Sequence, residues 1–384
     1  MITEAVRRAA GRLAAEGGLP AFVHDLDALR AHAAGIRDAL GAAGAPEIFY
    51  AAKANPDARI LAALAPFVDG IEVASGGELA HVRNVLPDAR LAFGGPGKTD
   101  EELDLAVREA ERVHVESPYE LSRLAALGQD VDVLLRVNLA GDREGVALAM
   151  SGPFGMDPES IDACLDVLGG APRVRLRGIH AHLASGLDAD AMLRQSAEIL
   201  GWARPWLGRA GCTDPEINLG GGMAVDYADP AARFDWAAYG RGVAAMARPG
   251  ERLRIEPGRA VTVYCGWYVT QVLDVKKAHG RWYAVLRGGT HQIRTPVTKD
   301  HDQPFTVIPH DGSGPSMGAG RVTLVGQLCT PKDVFARDVP VARLAVGDVV
   351  AFAMAGAYAW NISHHDFLMH PKPGFHYLDG AKTL

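Results

Sequence analysis

The chain of 384 residues is long enough to form one large domain together with a second one. Hydrophobic residues make up 48% of it and charged residues 22%, which is typical of a soluble enzyme and unlike a disordered chain. The formal net charge of -7 argues against a nucleic-acid-binding or anionic-membrane-binding surface, because both require a concentrated positive field.

Neither a membrane span nor a secretory signal is evident. The chain has no run of roughly 18 or more apolar residues, and its first residues, MITEAVRRAAGRLAAEGG, lack a continuous apolar core. Four cysteines (Cys164, Cys212, Cys265 and Cys329) show no C-x-x-C spacing, which argues against a disulfide framework or a zinc site. This pattern predicts a reducing, cytoplasmic location.

Strand-like and helical runs alternate over most of the chain after a first strand-like run near Phe22. Eight short runs, most of them apolar, fall at 48–52, 70–74, 90–93, 113–115, 131–137, 174–182, 216–219 and 252–256. Thr99 and Glu102 have the spacing of a capping box and predict the start of a helix. The pattern predicts a (β/α)₈ barrel over residues 25–259. An open doubly wound sheet is the alternative, although it usually has fewer strands.

Beyond Arg259 the helical periodicity disappears. The runs at 261–275, 281–286, 305–308, 321–325 and 348–354 are rich in Val, Tyr, Trp and Thr, and glycine and proline separate them. They predict a mainly antiparallel β domain built from residues 1–24 and 260–384. We expect the strand near Phe22 to join this domain, because it precedes the barrel and needs a partner edge.

Lys53 follows the first barrel strand directly, and no acidic residue occurs in the next three positions. Burial disfavours the charged form of an amine, which leaves it nucleophilic enough to form a Schiff base. Taken alone, the stretch fits a solvated lysine at a strand end better, because most lysines are solvated. The segments that follow favour the chemical role.

In a barrel the chemistry lies at the carboxyl ends of the strands. The charged candidates at these ends are Glu72, Glu78, Arg136 and Glu256. His180 and His182 lie two apart on one strand and face the same side, as metal ligands would. We predict no metal, because no nearby carboxylate or cysteine completes a ligand set, and an imidazole can instead stack on an aromatic ring.

Three consecutive glycines, Gly220, Gly221 and Gly222, follow the seventh strand. Their backbone N–H groups suit a phosphate, and the loops after strands 7 and 8 are the usual phosphate site of a barrel. A tight turn explains the glycines nearly as well, but Arg259 adds a guanidinium after the eighth strand. A Schiff-base lysine, a phosphate cradle, a stacking histidine and a lone carboxylate together indicate pyridoxal 5′-phosphate.

The chain resembles the fold-type III pyridoxal-phosphate decarboxylases of the diaminopimelate/ornithine decarboxylase family. The resemblance rests on YAAKAN (50–55), EVASGGEL (72–79), GIHAHLASG (178–186), INLGGG (217–222), IEPGR (255–259), GQLCTPKD (326–333) and GAY (356–358). These motifs run in the family order across nearly the whole chain. The resemblance implies a barrel with a β domain, and a homodimer whose active sites lie at the interface.

The resemblance also implies the role of each residue. Lys53 would form the Schiff base and His182 would stack on the pyridine ring, while Cys329 would enter the active site of the partner subunit as the proton donor. A buried apolar filler is the alternative for a lone cysteine. The expected cofactor-binding residues are Lys53, Glu72, Arg136, His182, Ser185, Gly221, Gly222, Glu256, Gly258, Arg259 and Tyr358.

Glu256 decides the expected reaction type. A carboxylate beside the pyridine nitrogen keeps that nitrogen protonated and makes the ring a strong electron sink, which favours the loss of CO₂. Alanine racemases, which share the fold, have an arginine there instead. The expected catalytic residues are therefore those of a decarboxylase: Lys53, Cys329, His182 and Glu256.

Two loops depart from the family pattern. Diaminopimelate decarboxylases resemble C-E-S-G-D where this chain has Cys329-Thr330-Pro331-Lys332-Asp333, and the family's D-A-G-M-N stretch begins here with Arg287. The added charge is basic: Arg287 and Lys332 belong to these stretches, and Arg294 follows the Arg287 stretch, near where the family carries an arginine that binds the substrate carboxylate. This predicts a substrate with an anionic far end. The expected substrate contacts are Arg287, Arg294, Thr330 and Asp333.

The stretch GAYAWNISHHDFLMHPKP is similar to a subgroup of decarboxylases from carboxylate-type siderophore pathways, which act on an amino acid already coupled to citrate or a related acid. Its His364, His365 and His370 are expected to belong to an exposed polar segment rather than to a metal site. The alternatives are a meso-diaminopimelate decarboxylase, an amino acid racemase or epimerase, and a non-catalytic pyridoxal-phosphate-binding homologue.

Overall fold

The order of helices and strands follows the alternation expected from the sequence. The structure is a computed structural model, which describes residues 2–41, 44–139, 148–150, 152–294, 301–310 and 314–380. The strands are β1 (Ala21–Asp25), β2 (Glu47–Ala51), β3 (Gly70–Val73), β4 (Leu91–Phe93), β5 (Arg112–Val115), β6 (Val131–Arg136), β7 (Leu148–Ala149), β8 (Val174–His180), β9 (Ala184–Ser185), β10 (Glu216–Asn218), β11 (Arg252–Ile255), β12 (Gly266–Ala278), β13 (Arg281–Leu286), β14 (Phe305–Ile308), β15 (Ser316–Met317), β16 (Gly320–Val325), β17 (Val334–Val341), β18 (Leu344–Ala345), β19 (Val349–Phe352) and β20 (Gly374–Leu378). The helices are α1 (Glu4–Ala15), α2 (Leu26–Leu40), α3 (Ala58–Leu64), α4 (Gly76–Val85), α5 (Asp100–Glu109), α6 (Pro118–Ala126), α7 (Pro158–Gly169), α8 (Ala189–Arg209), α9 (Trp236–Met246) and α10 (Arg259–Thr262).

Within the described residues, eight parallel strands close into a barrel in the order β2, β3, β4, β5, β6, β8, β10 and β11. Closure is seen in the pairing of β11 with β2, where Arg254 lies opposite Glu47. The barrel prediction is confirmed, and each of the eight predicted runs overlaps one of these strands. An open sheet is excluded, because it would leave β2 and β11 as unpaired edges.

Side-chain caps begin several of the barrel helices. Thr99 and Glu102 form the predicted capping box at the start of α5. Ser75 accepts from the Glu78 N–H at the start of α4, and Ser117 accepts from the Glu120 N–H at the start of α6. Such a cap stabilises a helix by about 1 kcal/mol. These caps lie just after the strands, so they fix the loops at the carboxyl end of the barrel.

Charged side chains fill the amino end of the barrel. The Arg254 guanidinium is fully buried and lies 2.9 Å from Glu216 and 2.9 Å from Glu47. Arg112 lies 3.1 Å from Glu216 and 3.3 Å from Asp132. Buried charges are tolerated when they are paired. This network occupies one end of the barrel, and the opposite end carries the loops on which barrel enzymes place their chemistry.

The strands after the barrel form a second sheet. Its path is β14, β19, β12, β13, β16 and β17, and β1 pairs with both β12 and β20. Most of its pairs are antiparallel; β13 with β16 and β1 with β20 are parallel. The predicted mainly antiparallel domain is confirmed. The predicted place of the strand near Phe22 is confirmed as well, because Phe22 lies opposite Tyr268 of β12.

The core of this sheet is aromatic. Phe335 stacks on Phe352 with ring centroids 4.7 Å apart, and Phe22 lies 5.3 Å from Tyr268.

Three details of this sheet differ from the sequence prediction: β17 and β20 were missed, and residues 261–265 are helical rather than extended. Arg337 and Asp338 interrupt β17, and the residues of β20 are all at least partly exposed, so neither strand shows the alternation that identifies a strand.

By compactness the chain divides into two units. One comprises Arg30–Val225 and Phe234–Val261, and the other comprises Met1–Leu29, Asp226–Arg233 and Thr262–Leu384. We call them the barrel unit and the β unit. Domain boundaries near residues 25 and 259 stay a prediction. None of the helices in the described ranges is both long and apolar enough to cross a bilayer.

Candidate active site

Lys53 lies at the carboxyl end of β2, in a single 3₁₀ turn formed by Ala52–Ala54. Its Nζ is 3.0 Å from Oε2 and 3.3 Å from Oε1 of Glu72, which β3 brings alongside. The Lys53 side chain is 44% exposed, whereas that of Glu72 is 5% exposed. The expectation that Lys53 is buried is therefore wrong. The amine lies in the open end of the barrel, and a buried carboxylate orients it.

Glu78, the second acidic candidate near β3, has a different place. Its Oε2 accepts the Ala74 N–H at 2.8 Å, so the carboxylate closes the first turn of α4. Burial, together with the negative charge of Glu72, raises the pKa of Glu78. The Glu78 carboxylate is already hydrogen-bonded to the Ala74 N–H, whereas the Glu72 carboxylate contacts Lys53.

Glu256 lies directly after β11 and is buried among polar partners. Its Oε1 accepts from Asn218 Nδ2 at 2.7 Å, and its Oε2 lies 3.0 Å from His180 Nε2. Burial acts to raise the pKa of Glu256, but His180 outweighs it and holds that pKa well below the usual range. Glu256 is thus an ionised carboxylate in a dry surrounding, where its charge acts strongly.

A second histidine, His114 of β5, belongs to the same cluster. Its ring stacks on that of His180 with centroids 4.2 Å apart and planes 16° apart, and its Nδ1 lies 3.8 Å from Glu256 Oε1. Burial and, after it, the neighbouring His180 lower the pKa of His114 well below its ordinary value. His114 is therefore a neutral imidazole.

The reason given above for expecting no metal is wrong, because Glu256 does lie beside His180. One ligand atom from each of His114, His180 and Glu256 falls within a 4.8 Å group. Stacked imidazoles are nonetheless a poor pair of ligands, since their lone pairs lie in nearly parallel planes that do not meet on one ion. The absence of a metal site stays a prediction.

His182 lies in the loop after β8 with one ring nitrogen turned to the backbone. Its Nδ1 accepts the Gly221 N–H at 3.3 Å, and its Nε2 lies 3.5 Å from Ser185 Oγ. Desolvation and, after it, the positive charges of Lys53 and Arg136 lower the pKa of His182 to about 3. The ring is therefore neutral at physiological pH, as a group that stacks on a planar ring should be.

The glycines after β10 are required by close backbone contacts. A Cβ at Gly221 would overlap the Glu256 carbonyl oxygen, and a Cβ at Gly222 would overlap the Ala184 carbonyl oxygen. Gly222 also has a φ of 110°, which side chains rarely adopt. Its carbonyl accepts the Gly186 N–H at 2.8 Å, which joins this loop to the loop after β8. The result is a compact cradle of backbone without side chains.

Two basic residues complete the predicted set in the barrel unit. Arg136 ends β6 and is buried, with Nη1 2.8 Å from Glu116 Oε1. Glu116 also accepts the Gly95 and Gly155 N–H groups, each at 2.9 Å, so this arginine is held rigidly. Arg259 is the first residue of α10, directly after the partly exposed Gly258, and is itself partly exposed.

His114, Asn218 and Glu116 were not among the sequence candidates. Asn218 ends β10 directly before the glycines, and Glu116 directly follows β5. Both could have been found with the rule that selected Lys53 and Glu256, because each lies at the carboxyl end of a barrel strand. His114 is the third residue of β5. The alternation of side chains along a strand, which turns every second residue to the inside of the barrel, was the only signal that could have identified it.

The remaining predicted residues lie in the β unit. Cys329, Arg287 and Arg294 are exposed, and Thr330 is partly exposed. Asp333 is 2% exposed and accepts the Thr290 and Leu328 N–H groups at 2.7 and 2.8 Å. The Asp333 carboxylate is therefore already hydrogen-bonded within the loop, and the burial of Asp333 disfavours its predicted contact with substrate.

Tyr358 has a φ of 48°, in the left-handed region that is uncommon for a bulky residue. Such a backbone persists where the surrounding structure holds it. Tyr358 is partly exposed, so its side chain is not fully packed in the core. Its predicted contact with phosphate stays a prediction.

The residues of the barrel unit fit pyridoxal 5′-phosphate. An accessible amine, the neutral imidazole of His182 and a buried ionised carboxylate are present. The loop at Gly221 and Gly222 carries no side chains, because a Cβ at either position would overlap a carbonyl oxygen, and a bare loop lets its backbone come close to a phosphate. The Gly221 N–H itself donates to His182. Lys53 would hold the cofactor covalently, Glu256 would face its ring nitrogen, and the glycine loop with Ser185 would hold its phosphate.

Comparisons with known proteins agree with this fit. Residues 26–263 match the family model described as pyridoxal-dependent decarboxylase, pyridoxal binding domain. The chain is 41% identical over 379 residues to the 2-[(L-alanin-3-ylcarbamoyl)methyl]-2-hydroxybutanedioate decarboxylase of Staphylococcus aureus, with 94% of each chain covered. It is 29% identical to an L-glutamyl-[BtrI acyl-carrier protein] decarboxylase of Niallia circulans, covering 92% of this chain and 87% of that one.

A solved structure shares the fold over nearly the full length. Diaminopimelate decarboxylase from m. jannaschi superposes with a TM-score of 0.85 at 22% identity, covering 96% of this chain and 89% of that one. The expected cofactor and the expected class of enzyme, an amino acid decarboxylase, are thereby confirmed. The chain belongs to the pyridoxal-dependent decarboxylase family.

Proposed function

We propose that the chain removes CO₂ from an amino acid whose side chain is joined to a polycarboxylate, as a step of siderophore biosynthesis. The name of the Staphylococcus aureus relative describes such a compound, in which alanine is joined at C3 through an amide to a hydroxybutanedioate. The observation that supports the proposal for this chain is a basic surface on the loop that carries Cys329 and on the loop bonded to it, whose cations have no acidic partner among the described residues.

Two loops of the β unit are held together around Cys329, and we call residues 287–294 and 326–333 the Cys329 platform. The Gln327 N–H donates to the Gly288 carbonyl at 2.8 Å, and the Gly288 N–H donates to Gln327 Oε1 at 2.7 Å. Asp333 binds a backbone N–H of each loop, those of Thr290 and Leu328. These bonds fix the loops as one surface.

The charge of this platform is positive. Arg287, Arg294 and Lys332 are exposed, and across the described residues no acidic side chain pairs with any of them. Asp333 is the acidic residue of the platform, and it is buried. A planar guanidinium binds a carboxylate through two parallel hydrogen bonds, so two unpaired arginines suit an anionic substrate tail.

The C-terminal stretch that resembles the siderophore subgroup contacts this platform. His370 Nδ1 lies 3.2 Å from Gln327 Nε2, and the His370 ring lies 5.3 Å from that of buried His291. Gln292 Nε2 donates to the Pro371 carbonyl at 2.7 Å. The stretch is therefore placed against the loop that carries Cys329, where a change of sequence can alter substrate choice.

The residues divide the chemical work. When bound, pyridoxal 5′-phosphate supplies the electron sink that accepts the negative charge left on Cα as CO₂ departs. Lys53 would hold the cofactor covalently, and the ionised Glu256 carboxylate would face its ring nitrogen and favour the protonated form. Neutral His182 offers its ring face without adding charge. The Cys329 thiol returns a proton to Cα.

The alternatives within the fold differ in substrate or in outcome. Diaminopimelate decarboxylase is the main one, and it shares the decarboxylase chemistry with this chain. A racemase is disfavoured by the carboxylate at Glu256. A homodimer with shared active sites and a cytoplasmic location are also proposed. The location rests on the four cysteines, which form no disulfide among the described residues.

The test is CO₂ release by the purified, cofactor-loaded protein from a panel of amino acids. The panel contains meso-diaminopimelate, L-ornithine, L-lysine, L-arginine, and citrate amides of diaminopropionate and ornithine. We expect release from the citrate amides. Release from diaminopimelate instead would overturn the role given to Arg287 and Arg294. Deuterium exchange at Cα without CO₂ release would indicate a racemase.

A further inference from the structure

The role of the buried His114 is not accounted for by the proposed mechanism. Both of its ring nitrogens lack a hydrogen-bond partner among the described residues, although the ring is completely buried. A buried polar atom without a partner is unfavourable, so an apolar residue would ordinarily be better there. His114 stacks face to face on the ring of His180, and its Nδ1 lies 3.8 Å from Glu256 Oε1, beyond hydrogen-bond distance.

That contact controls a hydrogen bond to Glu256. A carboxylate can only accept, so the 3.0 Å contact from His180 requires a proton on His180 Nε2. The His180 Nδ1 has no partner among the described residues, so no second hydrogen bond fixes the plane of the ring. The His114 face, with its plane 16° away, is what resists rotation of His180.

Gly94 lies beside His114 and Glu72. A Cβ at this glycine would lie 3.4 Å from both His114 Nδ1 and Glu72 Oε1, which is an ordinary contact distance. The titratable groups that face Glu256 are His180, His114, Lys53 and, from the loop after β8, His182.

We propose that His114 is a positioning residue that acts by stacking on His180, which keeps the His180 proton directed at Glu256 and the Glu256 carboxylate ionised and correctly oriented. The inference rests on the proposed role of Glu256 toward the cofactor. It does not depend on which amino acid is the substrate.

The test compares two replacements of His114 that both remove its ring nitrogens. His114→Phe keeps a flat ring to stack on, whereas His114→Leu does not. The control is His24→Leu, which removes a buried histidine of β1 that stacks on Phe22 in the other unit. Cofactor affinity is measured from the absorbance of the bound pyridoxal 5′-phosphate between pH 4 and pH 8, and apoprotein unfolding is measured in parallel.

We expect His114→Leu to weaken cofactor binding roughly tenfold and to shift the acid limb of the affinity profile upward by about one pH unit, because Glu256 becomes easier to protonate. His114→Phe should stay within about twofold of the wild type. The control should lower the unfolding temperature and leave the acid limb in place. Nuclear magnetic resonance of histidine-labelled apoprotein should show a strongly downfield Nε2–H signal in the wild type and in His114→Phe.

Either of two outcomes overturns the proposal. If His114→Phe matches His114→Leu, the ring nitrogens matter rather than the stack. If neither variant moves the acid limb, His114 is only a core residue. Should His114→Leu fail to fold, the downfield signal decides the question, because its absence in folded His114→Phe contradicts the stacking role. Binding and resonance use no substrate, so a failure of the CO₂ panel leaves them interpretable.

Discussion

The side chain of Lys53 is exposed, and the buried carboxylate of Glu72 orients its amine at the open end of the barrel, where it can hold the cofactor covalently. We expect Lys53→Ala to abolish the visible absorbance band of bound pyridoxal 5′-phosphate, because no Schiff base with the protein can form. Lys276→Ala, which removes an exposed lysine of β12, is the matched control and should retain the band. An unshifted band in Lys53→Ala would show that another residue holds the cofactor.

The exposure of the arginines in the Cys329 platform leads to a prediction about substrate binding. Replacing Arg287 or Arg294 with Gln should raise KM for a citrate amide about 10- to 100-fold, since a lost charged hydrogen bond costs about 1.5–3 kcal/mol. The value of kcat should change little, because the tail binds equally in the ground and transition states. Arg337→Gln, which removes an exposed arginine of β17, is the control. Equal loss with all three variants would contradict the assignment.

Site residues that lie at the ends of strands could be predicted from the sequence, whereas site residues that depend on contacts across the barrel could not. Lys53, Glu256 and the glycines lie at strand ends, and a barrel puts all strand ends at one face. His114 meets Glu256 only because the strands of the barrel are staggered, and the stagger is set by closure rather than by local sequence. The exposure of Lys53 was missed for a similar reason, since strand-end burial depends on the loops above it.

Among the elements, β2, β5, β10 and β11 are coupled by the buried charges at their amino ends. Arg254→Met should lower the free energy of unfolding by about 3–5 kcal/mol, because it leaves Glu216 buried without its nearest cation. Adding Glu216→Gln should recover part of this loss. The measurement is denaturant unfolding of the four proteins of the cycle without cofactor. Simple additivity of the two single effects would show that this pair is not coupled.

The same network predicts a pH dependence. Burial acts to raise the pKa of Glu47, but Arg90 and Arg254 outweigh it, so the pKa lies below its usual value of 4.5. A carboxyl with a lowered pKa stabilises the fold above its unfolded pKa, and this stabilisation is lost as the pH falls through the folded pKa. We therefore expect the unfolding free energy to fall below about pH 4.5, and to fall less steeply in Glu47→Gln. An unchanged slope would contradict this role.

The predictable elements were those with strong periodicity. The eight barrel strands are mostly apolar and are separated by helices, several of which have side-chain caps, so their runs were clear in the sequence. Strand β17, with Arg337 and Asp338 in its interior, has mixed polarity and was missed. Residues 261–265 have high strand propensity but form helix at the junction between the units, where tertiary context outweighs local preference.

At the scale of the whole molecule, Lys53 and Cys329 belong to different units of the chain. The homodimer came from family resemblance, since nothing in the composition or the periodicity of one chain specifies a partner. If Cys329 acts in the active site of a second copy, each site needs Lys53 from one chain and Cys329 from the other. Two inactive variants should then complement each other, because a twofold dimer places both kinds of residue at each interface.

The experiment mixes Lys53→Ala with Cys329→Ala under conditions that exchange subunits. Half of the dimers should be mixed, and each mixed dimer should hold one intact site, so activity should reach about a quarter of the wild-type value per site. Mixing either variant with itself is the control and should give no recovery. If activity does not return although subunit exchange is demonstrated by mass, Cys329 acts in the site of its own chain or takes no part. Recovery would establish the shared site and would place the Cys329 platform of one subunit over the cofactor of the other.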